Sequence, residues 1–203
     1  DEVICGFGRT GNMFGTETYG LKPDLITLAK ALSSGYQPIS ALLISENIFN
    51  SIALESKKIG IFGHGFTYGG HPVACAVALE ALNIYHEIDI ISHVKNVSPT
   101  LQNGLKMLTQ HPLVGEARGV GLLGAIELVK TKETREPFNI DDGVGSLFAS
   151  RIQANGLISR AMGDSIALCP PLIITVEQIQ KILEILKLSL DETLEILIER
   201  KLK

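Results

Sequence analysis

Glycine gathers in two clusters in this chain, Gly6-Phe7-Gly8-Arg9-Thr10-Gly11 and Gly60 to Gly70, and the residues after each cluster limit the fold. The first cluster spells G-x-G-x-x-G after a short apolar run, the spacing of a dinucleotide-binding loop. Such a loop works only when its third glycine opens a helix whose N-terminal amides receive a pyrophosphate. Here Gly11 is followed by Asn12-Met13-Phe14-Gly15, then by Gly20 and Pro23, with no apolar spacing of helical period. A segment broken in this way is a loop, so the glycines serve another purpose. The second cluster does feed a helix. His71-Pro72 puts proline at a first-turn position, and Val73 to Glu87 is rich in Ala and Leu.

Between and around these loops the chain reads as short strands and helices. Asp1-Glu2-Val3-Ile4 looks like the end of a strand already in progress, and without an initiating Met the span is expected to be a piece of a longer protein. Asp24 to Leu28 is β-prone, and the turn signal Ser33 to Pro38 comes after it. Ile39 to Ile44 is apolar enough for a buried strand, after which Ser45 is placed to N-cap a short helix through Ile48 and Leu54. Strands joined by helices and glycine loops describe an α/β arrangement with a mostly parallel, buried sheet.

Past about Asn96 the character changes. Pro99 to Leu108 predicts a helix, Gly115 to Val129 a strand pair, and Thr131 to Asp142 a polar loop. Ser146 to Ala154 predicts a helix, while Gly156 to Arg160 and Ser165 to Leu168 predict short strands. In Thr175 to Lys203, Ile179, Leu183, Leu186, Leu190, Leu194 and Leu197 recur at three- and four-residue steps, the stripe of a long amphipathic helix. The expected division is therefore 1–97 as one domain and 98–203 as a second, α+β domain.

The 203 residues are enough to bury a core, and 45% apolar with 20% charged residues is a globular composition. A net charge of −4 without clusters of Lys and Arg argues against nucleic acid or an anionic membrane as the main partner. No apolar run is long enough to span a bilayer. Cys5, Cys75 and Cys169 are few and far apart, which predicts thiols in a reducing cytoplasm and no zinc site. His64, His71, His86, His93 and His111 lack partners for a metal set and are assigned to loop and helix surfaces.

Four residues invite a chemical reading beside an ordinary one. Lys30, in the apolar window LITLAKAL, is either a solvated helix lysine or a partly desolvated amine that forms a Schiff base with an aldehyde. Asp1 is either a loop carboxylate or an acid at a strand's carboxyl end, where open α/β sheets bind ligands. Thr67, in GHGFTYGG, is either a turn threonine or a phosphate donor. Arg160 is either a surface ion-pair residue or a fork for a substrate carboxylate.

Read together, DEVICGFGRTG, LAKALSSGYQPISA, GHGFTYGGHPVACAVALEAL and SRAMGDSIALCPPLIIT resemble the successive motifs of the class III pyridoxal-phosphate aminotransferases, in the family's order and over most of the chain. They are most similar to the ω-amino acid and amine:pyruvate group. The resemblance implies fold type I, with 1–97 the C-terminal part of the cofactor-binding large domain and 98–203 the small domain. It implies pyridoxal 5′-phosphate as cofactor, Lys30 as the Schiff-base lysine and proton shuttle, and Asp1 as partner of the ring nitrogen. Val3 would pack on the ring, and Thr67 would bind the phosphate across a homodimer interface. Arg160 would bind the keto-acid carboxylate and swing aside for an uncharged amine. The reaction implied is transfer of an amino group from an amine or ω-amino acid to a keto acid such as pyruvate. Relatives of this kind are about twice as long, and their front half supplies a phosphate cradle and an aromatic stacked on the ring. A truncated, non-catalytic interaction module is therefore the alternative, and a related aminomutase a third.

Overall fold

In the first part of the chain the β-prone run forms β1 (Leu25–Leu28), and the turn after it carries a single 3-10 turn, Lys30–Leu32. The chain returns as β2 (Ala41–Ile44), antiparallel to β1 with Leu28 opposite Ala41 and Leu25 opposite Ile44. Mostly parallel sheets often carry an antiparallel pair of this kind. A short helix α1 (Gly15–Thr18) precedes the strands, and α2 (Glu46–Ile59) and α3 (Pro72–Glu87) come after them. The computed structural model describes residues 1–203, which divide into two compact units, Asp1–Ile91 and Ser92–Lys203.

Three expectations for the first unit need correction. Asp1 to Ile4 is not a strand; residues 3 to 10 form successive turns, and one backbone bond, from the Glu2 amide to the Thr27 carbonyl at 3.0 Å, ties the segment to β1 beside a side-chain bond from Thr27 to Asp1. β2 is exposed at Leu42, Leu43 and Ile44 rather than buried, because within this unit only its first residue, Ala41, packs against the core. Ser45 stands at the N-cap of α2, but its hydroxyl bonds to no amide of the helix, which runs on to Ile59 and ends at Gly60 in the left-handed region, φ 77°. Proline at the start of α3 stands where its fixed φ and missing amide favour a first helical turn.

The core of this unit is small. Phe7, Leu28, Leu32 and Ala78 form its buried centre, with Phe14, Leu82 and Tyr85 packed against it. Phe7 sits edge-on to Phe14 with ring centroids 5.8 Å apart. The glycine-rich opening loop is thus folded around its own phenylalanine, against the strand end that leads into Lys30.

The second unit is built on a four-stranded antiparallel sheet. Its strands are β3 (Val114–Val120), β4 (Leu123–Leu128), β5 (Arg160–Met162) and β6 (Ser165–Leu168), in the order β3-β4-β6-β5. The expected strand at Gly156 to Arg160 begins only at Arg160, since Gly156 has φ 95° and turns the chain. Helix α4 (Ile90–Leu108) starts well before Pro99 and carries that proline inside it. Its Gln102 donates to the carbonyls of Gly121 and Leu123 at 2.8 and 3.0 Å, fixing the helix to the β3–β4 hairpin.

Helix α5 (Val144–Ala154) and helix α6 (Val176–Glu199) complete the unit. Thr175 caps α6, accepting from the Gln178 amide while the Gln178 side chain accepts from the Thr175 amide, a reciprocal capping box. Of the predicted stripe, Leu183 and Leu194 are half-buried, while Ile179, Leu186, Leu190 and Leu197 are inaccessible to solvent. They share the interior with Leu101, Leu105, Ile126, Phe148, Ile152 and Ile166. Each such side chain contributes roughly 1.5–3 kcal/mol of burial, so this unit holds most of the chain's hydrophobic stabilisation. No helix in the chain is long and apolar enough to cross a membrane.

Candidate active site

The candidate residues Asp1, Val3 and Lys30 lie toward the end of β1. Thr27 accepts the Glu2 amide on its carbonyl, and its hydroxyl donates to Asp1 Oδ1 at 3.2 Å. The same Asp1 oxygen accepts the Val3 amide at 2.8 Å. Lys30 lies just past the end of the same strand, so β1 links the segment holding Asp1 and Val3 to the turn holding Lys30.

Lys30 has φ 46°, in the left-handed region that a residue with a Cβ enters at a cost of roughly 1–2 kcal/mol. Its carbonyl accepts the amides of Ser33 and Gly35 at 3.2 and 3.3 Å, closing the turn that holds it there. Tyr85, on α3, donates its hydroxyl to the Ala31 carbonyl at 2.7 Å and buttresses the same turn. The Lys30 side chain is exposed and joins no ion pair of the chain. Strain maintained by surrounding bonds at an unpaired amine is the kind of feature that clusters at reactive sites.

The opening glycines find their purpose here. Glu2 is buried, 3% exposed, and its carboxylate accepts the amides of Gly15 and Thr16 at 2.8 and 2.7 Å. The N-terminus of α1 is therefore already occupied by the protein's own acid. Gly11 opens no helix, and Gly8 and Gly11 take φ 101° and 88° to turn the loop around.

Thr67 lies in the exposed loop between α2 and α3, where Phe66 and Tyr68 flank it with ring centroids 6.2 Å apart. The loop makes no hydrogen bond to Asp1, Thr27 or Lys30. Arg160 opens β5 in the second unit, opposite Ala167, exposed and paired with no carboxylate of the chain. The structure thus joins Asp1, Val3 and Lys30 through β1, and sets Thr67 and Arg160 on separate elements.

Burial holds three titratable groups of the second unit off their ordinary values, His111, Asp164 and Lys203. Burial lowers His111 below 6.5, with Asp191 opposing and Lys132 and Lys203 assisting. His111 is a correction to the surface assignment, since its side chain is 11% exposed. Its Nδ1 accepts the Leu113 amide at 3.2 Å, and Nε2 lies 3.4 Å from Asp191 without a well-formed hydrogen bond. Burial raises Asp164, against the opposing effect of the Gly145 amide that donates to it.

Sequence reasoning misses Glu2, Thr27 and Tyr85. Thr27 is the one polar residue of LITL, and Tyr85 the one tyrosine of an Ala/Leu-rich helix, signals that mark a position without telling its partner.

Comparison with known proteins shows the family and the fold. The family profile described as Aminotransferase class-III matches residues 1–190. The gamma aminobutyrate transaminase 1, mitochondrial, of Solanum lycopersicum is 48% identical over 193 residues, covering 95% of this chain and 38% of that protein. A solved transaminase with L-Ala superposes with a TM-score of 0.95 at 48% identity, covering 97% of this chain and 46% of that one. The omega transaminase from Pseudomonas jessenii in complex with PMP gives a TM-score of 0.93 at 48% identity, over 96% of this chain and 43% of that one. The chain thus spans less than half the length of these relatives. With a family match over nearly its whole length and this agreement in fold, the chain belongs to the class-III aminotransferases, on the fold type I α/β scaffold.

Proposed function

We propose that this chain carries the lysine half of a pyridoxal-phosphate transaminase, which moves an amino group from an amine or ω-amino acid to a keto acid such as pyruvate. The observation that carries the reading is Lys30: an exposed, unpaired amine in a strained turn, joined through β1 to an anchored carboxylate, Asp1. This donor set fits pyridoxal phosphate, which when bound supplies an electron sink for charge at the substrate's amine-bearing carbon. Asp1, with Oδ1 engaged by Val3 and Thr27, offers Oδ2 to a protonated ring nitrogen. Val3 presents an apolar, half-buried side chain beside it. Lys30 Nζ would hold the cofactor by condensing with its aldehyde with loss of water, and the same amine would take and return a proton as a general base and acid. The unpaired Arg160 fork recognises the carboxylate of the keto acid.

Thr67 donates its hydroxyl to the phosphate, in a site completed by a second copy of the chain. The exposed aromatics around it support this, since Phe62, Phe66 and Tyr68 form the type of apolar surface that homodimers cover. The domain division carried with this reading is 1–97 for the large-domain part and 98–203 for the small domain. The cysteines form no disulfide, which supports a reducing compartment such as the cytoplasm; the Solanum lycopersicum relative is named as mitochondrial, and fractionation of tagged protein separates the two.

The test is covalent. Reduction with borohydride after mixing with pyridoxal phosphate is expected to add the cofactor's mass to the peptide holding Lys30 and to leave Lys30→Ala unlabelled. Equal labelling of Lys30→Ala overturns the assignment. A second reading, the non-catalytic module, is favoured by the uncovered faces of β2 and α2, where Leu42, Leu43, Phe49 and Leu54 are exposed. Failure of any labelling, together with association measured by sedimentation, selects it.

A further inference from the structure

We infer that Glu2 is a positioning residue for Asp1, an inference that rests on the transaminase reading of Asp1. Glu2 is a buried carboxylate, 3% exposed. A buried acid is retained only where hydrogen bonds and a favourable dipole replace water. Both of its oxygens are so used, on the Gly15 and Thr16 amides. Capping α1 alone does not need this residue, since a polar side chain at position 14 serves that purpose locally. Phe14 stands there instead and caps nothing. The cap comes from 13 residues upstream, for the Gly15 bond, so it closes the loop on the residue next to Asp1.

The backbone of Glu2 is held as firmly as its side chain. Its amide donates to Thr27 at 3.0 Å, and its carbonyl accepts the Gly6 amide at 2.9 Å. Asp1 is left outside this knot, with Oδ1 steadied by Val3 and Thr27. Glu2 drawn inward and Thr27 pulling sideways fix the direction in which the neighbouring carboxylate faces. The geometry also supplies a second handle on the same contact. A Cβ at Gly15 would meet Glu2 Oε2 at 3.2 Å and Cys5 Cβ at 3.1 Å, so Gly15→Ala crowds the carboxylate without altering it.

The experiment compares Glu2→Gln and Gly15→Ala with the parent chain by two readouts. Hydrogen exchange of the Gly15, Thr16 and Val3 amides needs no cofactor. Both variants are expected to speed all three, Val3 by about tenfold, the loss of one well-made bond to a charged group. The second readout is the pH titration of the visible band of added pyridoxal phosphate, expected to move by about one pH unit in the variants. Faster exchange at Gly15 and Thr16 with Val3 and the titration unchanged overturns the inference, since Glu2 would then hold only its own loop. If the parent gives no band at all, the transaminase reading fails, while Val3 exchange still decides whether Glu2 positions Asp1.

Discussion

The hydroxyl of Tyr85 donates a 2.7 Å hydrogen bond to the carbonyl of Ala31, the residue after the strained Lys30. A helix that begins at a proline is thereby tied to the turn that presents the amine. Tyr85→Phe keeps the ring against Phe7, 6.5 Å away between centroids, and removes only the bond. It is expected to lower stability by about 1 kcal/mol in urea denaturation and to slow borohydride-trapped labelling of Lys30.

Lys30 itself is expected to trade stability for reactivity. Lys30→Gly relieves a φ of 46° and should raise the unfolding free energy by about 1 kcal/mol, with labelling abolished. Lys30→Ala abolishes labelling without that gain, because alanine retains the Cβ. Equal stabilities of the two variants would show that the turn stores no strain.

Arg160 is expected to act on one half-reaction. In the assembled transaminase, Arg160→Ala should raise KM for the keto acid about tenfold or more through loss of a charge-assisted fork, while KM for an uncharged amine changes little. Parallel loss of both would point to a structural role at the sheet edge.

His111 gives the second unit a pH dependence whose sign is fixed. Burial holds its folded-state pKa below 6.5, so below that pH the unfolded chain binds more protons than the folded one. Stability therefore falls as pH drops from 6.5 toward the folded value and levels off beneath it. Thermal unfolding between pH 7 and 5 should show this slope, and His111→Asn should flatten it.

Gly145 is expected to tolerate no side chain. A Cβ there would lie 1.9 Å from the Gly163 carbonyl oxygen, which belongs to the backbone of the β5–β6 turn and has no rotamer to yield. Gly145→Ala should cost about 1–3 kcal/mol, measured by chemical denaturation.

The second unit is the more legible in sequence. The Ile179 to Leu197 stripe and the Gly115 to Val129 pair depend on local periodicity, and the helix and hairpin appear where that periodicity puts them. The exposure of β2 escapes the sequence because apolarity alone does not say whether anything lies against a strand. The burial of His111 escapes it too, since a sequence shows a histidine but not the Leu113 amide folded onto its Nδ1. At the site, the motifs point to Lys30 and Asp1, yet their supports, Glu2, Thr27 and Tyr85, act through long-range partners. The Tyr85 bond reaches across 54 residues, and no spacing rule operates at that distance.

The glycine loop also divides labour in a way its spelling conceals. With the Glu2 carboxylate lodged against the Gly15 and Thr16 amides, the loop carries its own anion and repels another. On the proposed reading, in which the ring lies by Asp1 and Lys30, the phosphate would be received by a different stretch of polypeptide. The loop that most resembles a phosphate cradle is the one already closed to phosphate.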